Sequence, residues 1–560
     1  VSYSPLQVSR RAASTRRLVV LMGALGVGFV VTGVRTIDLA LQGEGEGAAR
    51  AAAPEAVRRA EILDRNGVVL ASTVMLKSAY AERAHVDDPV ATAQALAGVI
   101  PGMDVAALTR HLARSDRGSV PVARGLSPKQ LQAVFNLGLP GVVFRTEPRR
   151  VYPAGGLAGQ VLGYVGVDQQ GLGGVELSYD AELSAGKPVS LALDTRLQAV
   201  LEEELSWGIE AFSAIGGLAI LIDATTGEVL ALANRPGFDP NRAFSVPPEA
   251  RTNPALHATL ELGSVFKPLT IAGAIDAGAI QPSASYPTAG GVRVGGHPFT
   301  DKRPSAAPLS LEAIIAQSSN VGTVHVALAA GPRRQQDFYD ALGLTAPVPI
   351  DLPGSAAPQL PVRWDERTLA FASFGSGLNV TPLALARAYT PFAREGELVE
   401  LRVRRLEPDE AVTARRVMSA PTAAVMLSMM RATVSSGTAR RLSGIGYSVA
   451  GKTGTANKPG VGGYDQTLRV TSFAAVLPAE APRYVLYTLL DEPDVGIDQD
   501  EHADAGRTAV PVAGRIITRI APVLGIMPSD VSPAATDAPI TVAGPNGDET
   551  TIDVGLRGTL

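Results

Sequence analysis

The chain has 560 residues, 50 of them basic and 54 acidic, a formal net charge of −4 and no cysteine. That length accommodates about three domains, the near-neutral charge argues against nucleic acid as a partner, and the missing thiols exclude disulfides, thiolate zinc sites and a cysteine nucleophile. Six histidines without a His-x-x-x-His spacing predict no metal site, and the motifs below need no cofactor.

Residues 1–17 carry four arginines (Arg10, Arg11, Arg16, Arg17) and no acid, and Leu18 to Val34 is an uncharged run. As a helix this run is about 26 Å long, enough to cross a hydrocarbon core. The expectation is a cytoplasmic tail (1–17), a single transmembrane anchor (18–41) and an exported remainder. Val34-Arg35-Thr36 is not the small-x-small site at which a signal peptide is cut. Residues 42–58, rich in Gly, Ala and Glu, read as a flexible linker.

Residues 59–188 form a predicted pedestal. Glu61 to Ser72 reads as a strand pair around Asp64-Arg65-Asn66-Gly67, where Asn-Gly is a strong turn signal. Residues 85–140 place Ala and Leu at helical spacing. Nothing catalytic collects here, so the unit is a spacer or docking module. A second unit spans 189–527. Asp194 to Ala211 reads as an amphipathic helix, and Gly217 to Asp223 with Glu228 to Asn234 as a hairpin. Further strands are expected at Val449 to Ala456, Val470 to Leu477 and Tyr484 to Leu490, and a closing helix at Arg507 to Leu524. That order predicts an α+β domain, an antiparallel sheet with helices on its faces. Residues 528–560, rich in Pro, Ser, Thr, Asp and Gly, read as a loosely ordered tail.

Ser-x-x-Lys occurs twice. Ser184-Ala185-Gly186-Lys187 lies in a loop entering a strand, where the two side chains have no enforced geometry. Ser264-Val265-Phe266-Lys267 follows a chain-breaking Gly263, and Pro268 is tolerated in a first helical turn. Residues i and i+3 share a helix face, so Lys267 can reach the Ser264 hydroxyl. Ser318-Ser319-Asn320 and Lys452-Thr453-Gly454-Thr455 follow. Only seven of the 50 basic residues are lysines, yet lysine stands at 267 and 452. Arginine cannot lose its proton in a protein, whereas a partly buried lysine can.

In this order the three motifs resemble those of the penicillin-binding proteins and serine β-lactamases. Other segments make the resemblance specific. Arg59-Ala60-Glu61-Ile62-Leu63-Asp64-Arg65-Asn66-Gly67, Arg150-Val151-Tyr152-Pro153 and Gly174-Val175-Glu176 resemble pedestal motifs of the class B penicillin-binding proteins. Phe374-Gly375-Ser376-Gly377, Val380-Thr381-Pro382-Leu383, Gly446 to Gly451, Gly462-Gly463-Tyr464-Asp465 and Asp491-Glu492-Pro493 are similar to catalytic-domain segments, the last three as in the cell-division members. Ala60, Leu262 and Ala384 depart from the usual Gly, Pro and Gln without removing a reactive group.

The resemblance implies a septal peptidoglycan D,D-transpeptidase without a glycosyltransferase domain. It would crosslink stem peptides through a serine ester and be inhibited covalently by β-lactam antibiotics. Ser264 would attack the carbonyl between two D-alanines and Lys267 take its proton. Lys452 would keep Lys267 neutral and attract the terminal carboxylate. Ser318 could relay a proton to the leaving amine, and Asn320 bind the substrate amide and hold Lys267. Thr453 and Thr455 offer hydroxyls to the substrate. Gly454, lacking a side chain, would let it add to the strand edge. By the same resemblance the oxyanion hole uses the N–H groups of Ser264 and Thr455. The implied partner is an FtsW-type membrane glycan polymerase with other division proteins. The implied address is the inner membrane at the septum, catalytic domain periplasmic. An elongation enzyme of the same class and a β-lactam hydrolase or sensor are the alternatives.

Overall fold

The computed structural model describes residues 58–114, 118–460, 463–495, 503–529, 540–543 and 549–552, together with Gly26, Val30 and Thr32. Contacts divide the chain into Val1–Arg58 and Arg59–Leu560. The expected anchor (18–41) and linker (42–58) lie outside the described residues apart from Gly26, Val30, Thr32 and Arg58. Among the described residues no helix is long and apolar enough to cross a membrane.

In the second unit, β1 (Ile62–Leu63) and β2 (Val69–Glu82) form the expected antiparallel pair. Asp64 builds the turn between them, its carboxylate accepting from the N–H groups of Asn66 at 2.7 Å and Val68 at 2.9 Å. The expected helical stretch contains α1 (Pro89–Val99) and α2 (Val105–Arg114), then a strand, β3 (Ser119–Leu126), then α3 (Pro128–Asn136). The helical expectation fails at β3, whose partner is β2, some forty residues earlier, so its pairing is invisible in a local window. β2 pairs with β3 along one edge and with β4 (Val142–Val151) along the other. Leu96, Leu112, Val120, Leu126 and Val134 pack the helices against this sheet.

Two short helices follow, α4 (Gly174–Ser178) and α5 (Asp180–Ser184), and then β5 (Val189–Ser190), parallel to β1. The pedestal motifs converge here on one buried carboxylate. Glu176 is 0 % exposed, and it accepts from Arg59 Nε at 2.7 Å, Arg150 Nε at 2.7 Å and the Tyr152 hydroxyl at 3.0 Å. Arg59 also donates to Asp180 at 2.6 Å, and Arg150 to the carbonyl of Ala60 at 2.6 Å. Ser184, the serine of the first Ser-x-x-Lys, accepts from Arg59 at 3.1 Å and joins the pedestal's ion cluster, while Lys187 is exposed.

The catalytic half opens with α6 (Thr195–Ala211), capped by Asp194, and the hairpin β6 (Gly216–Asp223) and β7 (Glu228–Arg235). The short β8 (Leu260–Glu261), α7 (Lys267–Asp276), α8 (Leu311–Gln317), α9 (Asn320–Ala330), the short β9 (Asn379–Val380) and α10 (Ala420–Ser435) come next. The chain returns to the sheet as β10 (Ala450–Gly460), β11 (Gly463–Leu477) and β12 (Tyr484–Asp491), and closes with α11 (Ala509–Val523). The sheet order is β10-β11-β12-β6-β7, antiparallel throughout. In β6, Leu218, Ile220 and Ile222 join one core and Ala219 and Leu221 the other. The two-residue period of a strand places these sets on opposite faces, so both faces of the sheet are covered. α6 and α11 cover one face, and a Cβ on Gly208 of α6 would stand 2.4 Å from a methyl of Val512.

Within the tail expected to be loose, β13 (Ile540–Ala543) pairs with β14 (Glu549–Ile552). The tail's overall composition conceals two β-branched runs, Ile540-Thr541-Val542 and Thr550-Thr551-Ile552.

Glu176→Gln leaves two buried guanidinium groups without their shared counter-charge. Removing one partner of a buried ion cluster costs about 3–5 kcal/mol, so the variant should unfold several degrees below the parent in a thermal melt followed by circular dichroism.

Candidate active site

The site forms where the chain before α7 is pressed against the edge strand β10. Gly263 has φ +65° and opens a tight 3-10 turn, Gly263–Phe266, that runs into α7. A Cβ on Gly263 would lie 2.7 Å from the carbonyl oxygen of Thr455. On the strand side, a Cβ on Gly454 would lie 2.5 Å from the carbonyl oxygen of Leu262 and 2.5 Å from the Ser472 hydroxyl. Two glycines therefore face each other across a backbone contact. The bare position at Gly454 is occupied by the serine turn itself, which corrects the expectation that it makes room for substrate.

The turn is anchored from behind. The Tyr389 hydroxyl donates to the carbonyl of Val265 at 2.6 Å, and the Phe266 ring packs edge-on against Tyr339. Val265, Phe266 and Lys267 are fully buried, whereas Ser264 is partly exposed, so the hydroxyl is accessible on a fixed base. Pro268 sits in the first turn of α7, as the sequence suggested.

Ser318 ends α8 in the left-handed conformation, φ 60°. Lys267 Nζ donates to its carbonyl at 2.5 Å and its hydroxyl at 3.1 Å. Lys452 Nζ donates to the same hydroxyl at 2.9 Å, and to Thr453 at its carbonyl (3.0 Å) and hydroxyl (3.3 Å). Both lysines are 0 % exposed. Burial pushes Lys267 down to about 7, with the negative charge of Asp301 pulling the other way. Burial, and then the charge of Lys267, push Lys452 well below the ordinary lysine value. Two ammonium nitrogens on one hydroxyl repel, so the pair resists carrying two protons at neutral pH.

Asp301 had no sequence signal that set it apart from the other acids. Its carboxylate accepts from the Ser319 hydroxyl at 2.5 Å and from the N–H groups of Asn320 at 2.6 Å and Val321 at 3.1 Å. It thus caps α9 and fixes the turn that presents Ser318. Asn320 is held through this backbone contact. The hydrogen bonds of Lys267 go to Ser318, so Asn320 does not hold Lys267 as expected. Thr438, also missed, shares a 2.6 Å hydrogen bond with the Thr453 hydroxyl. The Thr455 hydroxyl accepts from the N–H of Ala505 at 3.2 Å. The structure therefore brings Ser264, Lys267, Ser318, Asn320, Lys452, Thr453, Gly454 and Thr455 to one region beside the unpaired edge of β10.

A serine on a rigid turn, flanked by two buried lysines that share a second serine, defines an acyl-transfer enzyme of the penicillin-recognising kind. The profile of the penicillin binding protein transpeptidase domain matches residues 217–518, and that of the penicillin-binding protein dimerisation domain matches residues 54–191. The chain belongs to the class B penicillin-binding proteins and is a serine-type peptidoglycan D,D-transpeptidase. It is 35 % identical over 525 residues to the probable peptidoglycan D,D-transpeptidase FtsI of Caulobacter vibrioides, covering 91 % of this chain and 89 % of that one. It is 32 % identical to the probable peptidoglycan D,D-transpeptidase PenA of Neisseria gonorrhoeae, covering 78 % of this chain and 80 % of that one. Among solved structures it is similar to penicillin binding protein 3 of Mycobacterium tuberculosis complexed with aztreonam, with a TM-score of 0.66 and 27 % identity over 86 % of this chain and 99 % of that one.

Gly454→Ala should displace the serine turn, because the added methyl meets the Leu262 backbone oxygen as well as the Ser472 hydroxyl, and the backbone oxygen cannot swing aside. A shift of about 1 Å at a reacting centre costs about 100-fold in rate. Stopped-flow acylation by a β-lactam should therefore slow by that order while the far-ultraviolet circular dichroism is retained.

Proposed function

We propose that Ser264 is the nucleophile of this transpeptidase and that Lys267, Ser318 and Lys452 move its proton. The observation that carries this reading is the Ser318 hydroxyl held at once by the two buried lysine nitrogens, with the Ser264 turn packed directly against the strand that bears Lys452. A stem peptide adds along the unpaired edge of β10. Its terminal carboxylate reaches Lys452, Thr453 and Thr455 and restores the positive charge of Lys452. Like-charge repulsion then leaves Lys267 neutral, and Lys267 takes the Ser264 proton as the oxygen attacks the carbonyl between the two D-alanines. Backbone N–H groups of Ser264 and Thr455 stabilise the oxyanion. The proton passes through Ser318 to the departing D-alanine amine. The amine of a second stem then attacks the ester, forming the crosslink and freeing Ser264. Asn320 binds the substrate amide.

The cellular role we infer is septal. The stretch from Gly446 to Pro493 and the 35 % identity to an FtsI support it. The partner on this reading is an FtsW-type glycan polymerase, met through the pedestal and the apolar segment Leu18 to Val34 at the inner membrane. Depletion should produce filamentous cells with blocked septa; rounded cells that continue to divide would place the protein in elongation.

Mass spectrometry after penicillin treatment should find the adduct on the peptide containing Ser264 and none on Ser184. A long-lived adduct supports a synthase, and rapid deacylation a hydrolase. Lys267→Arg should abolish acylation because guanidinium keeps its proton, while Lys452→Arg, where charge is the main need, should be milder. Lys267 lowered to about 7 is protonated below that pH and neutral above it. The acylation rate should therefore fall as pH drops through about 7 and reach a plateau above it, and a rate that stays flat from pH 6 to 8 would remove Lys267 as the base.

A further inference from the structure

A cleft of about 350 Å³ opens where the pedestal meets the catalytic half. Its pedestal side is built from β3, β4 and the loop around Gln169, and its catalytic side from the 3-10 turn Pro240–Ser245. Asn241 of that turn clamps the two sides together. Its side chain accepts from the N–H of Tyr152 at 3.0 Å and donates to the carbonyl of Tyr152 at 2.9 Å. Arg251 stacks 5.1 Å from the ring centre of Tyr164 and 5.7 Å from that of Phe244, which steadies Phe244 at the rim.

Four arginines line the cleft, Arg124, Arg149, Arg150 and Arg242, against one carboxylate, Glu147. Glu147 is already committed: it accepts from the Tyr80 hydroxyl, and the charges of Arg124 and Arg145 act on it. Arg150 is paired with Glu176, but its buried Nη2 finds no acceptor among the described residues. Arg149 and Arg242 are exposed, and among the described residues neither forms an ion pair. Two guanidinium charges are thus left uncompensated beside a buried N–H whose desolvation is offset only when an acceptor reaches it. Gln169 Oε1 is buried as well and accepts from no donor among the described residues. Val167 and Phe244, 63 % and 65 % exposed, set apolar surface next to these polar groups.

We propose that this cleft binds a small dicarboxylate that carries a hydroxyl or an amide N–H beside its carboxylates. Arg149 and Arg242 take the two carboxylates in charge-assisted hydrogen bonds, for which the forked guanidinium is suited, and Arg150 Nη2 adds a donor. The hydroxyl or N–H of the ligand donates to Gln169 Oε1. Val167 and Phe244 cover its carbon chain. The volume lies at the lower end of the range for small-molecule sites. No residue that lines the cleft belongs to the three catalytic motifs, so the inference stands apart from the acyl-transfer reading.

The test is calorimetric titration of the full chain with malate, which has two carboxylates and a hydroxyl, and with succinate, which lacks the hydroxyl. Each titration is run on untreated protein and on protein already treated with penicillin, so that binding at Lys452 is told apart from binding in the cleft. Malate should bind once per chain with a Kd of about 1 mM at low salt, before and after penicillin, and succinate about tenfold more weakly. The double variant Arg149→Gln, Arg242→Gln should raise the malate Kd by about tenfold or more. Both side chains are exposed and outside the motifs, so its thermal midpoint and its rate of penicillin acylation should match the parent's. Gln169→Gly, a substitution that suits the φ of 65° at that position, should bring malate to the succinate value. The proposal is overturned by an absence of saturable malate binding, by binding that penicillin abolishes, or by a malate Kd unchanged in the double variant. Inorganic phosphate binding as tightly as malate also overturns it, since the arginines would then attract any anion.

Discussion

The two lysines that meet at the Ser318 hydroxyl are the constraint around which the catalytic half is arranged. Burying an ammonium group without a counter-ion is costly, and here two are buried within reach of the same oxygen. The fold tolerates them because each has fixed acceptors: the Ser318 carbonyl for Lys267 and the Thr453 carbonyl for Lys452. Asp301 adds one negative charge nearby. On the proposed mechanism that cost is also the source of reactivity, since only a lysine pushed toward neutrality can take a proton from serine near pH 7. The left-handed turn at Ser318, the cap that Asp301 places on α9 and the anchoring of the serine turn by Tyr389 all serve to keep these nitrogens where they are.

A second constraint is the distance between the serine turn and β10. Gly263 and Gly454 let the two backbones approach until a single methyl on either would collide with a carbonyl oxygen. Gly375 extends the same close packing, since a Cβ there would stand 2.4 Å from the carbonyl of Gly263. The serine is therefore positioned by main-chain contact on two sides, which side-chain rearrangement cannot easily disturb. The free edge of β10 stays available because the turn packs beside it rather than pairing with it.

The pedestal is held by a different chemistry. Arg59, Arg150, Tyr152 and Glu176 come from three distant segments, and the buried carboxylate of Glu176 accepts a hydrogen bond from each of the other three. The neighbouring turn reaches into the catalytic half. Asp64 accepts from the Thr195 hydroxyl at 2.5 Å, and Asn66 donates to Asp194, the cap of α6, at 3.1 Å. Burial alone raises the Asp64 carboxyl, and hydrogen bonds from Thr195, Val68 and Asn66 outweigh it and hold the group below its ordinary value. Charged and polar residues here order the chain around the start of the catalytic half, whereas at the candidate site two lysines are buried against one hydroxyl.

Much of this was legible in the linear chain. The alternation in β6 and β7, the Asn-Gly turn after Asp64, the helix over residues 195–211 and the order of the three motifs all reflect local rules: two-residue and 3.6-residue periodicity, turn chemistry, and the need for lysine rather than arginine where a proton must move. Those rules distinguished Ser264 from Ser184, because a glycine and a proline at fixed offsets mark a helix start. They did not extend to β3, whose partner is remote, nor to Asp301 and Thr438, whose contacts depend on which segments lie beside them after folding. They also misjudged Gly454. From the chain alone a bare position on a strand admits substrate or close packing equally well, and only the tertiary structure, by placing the Leu262 carbonyl against it, decided which.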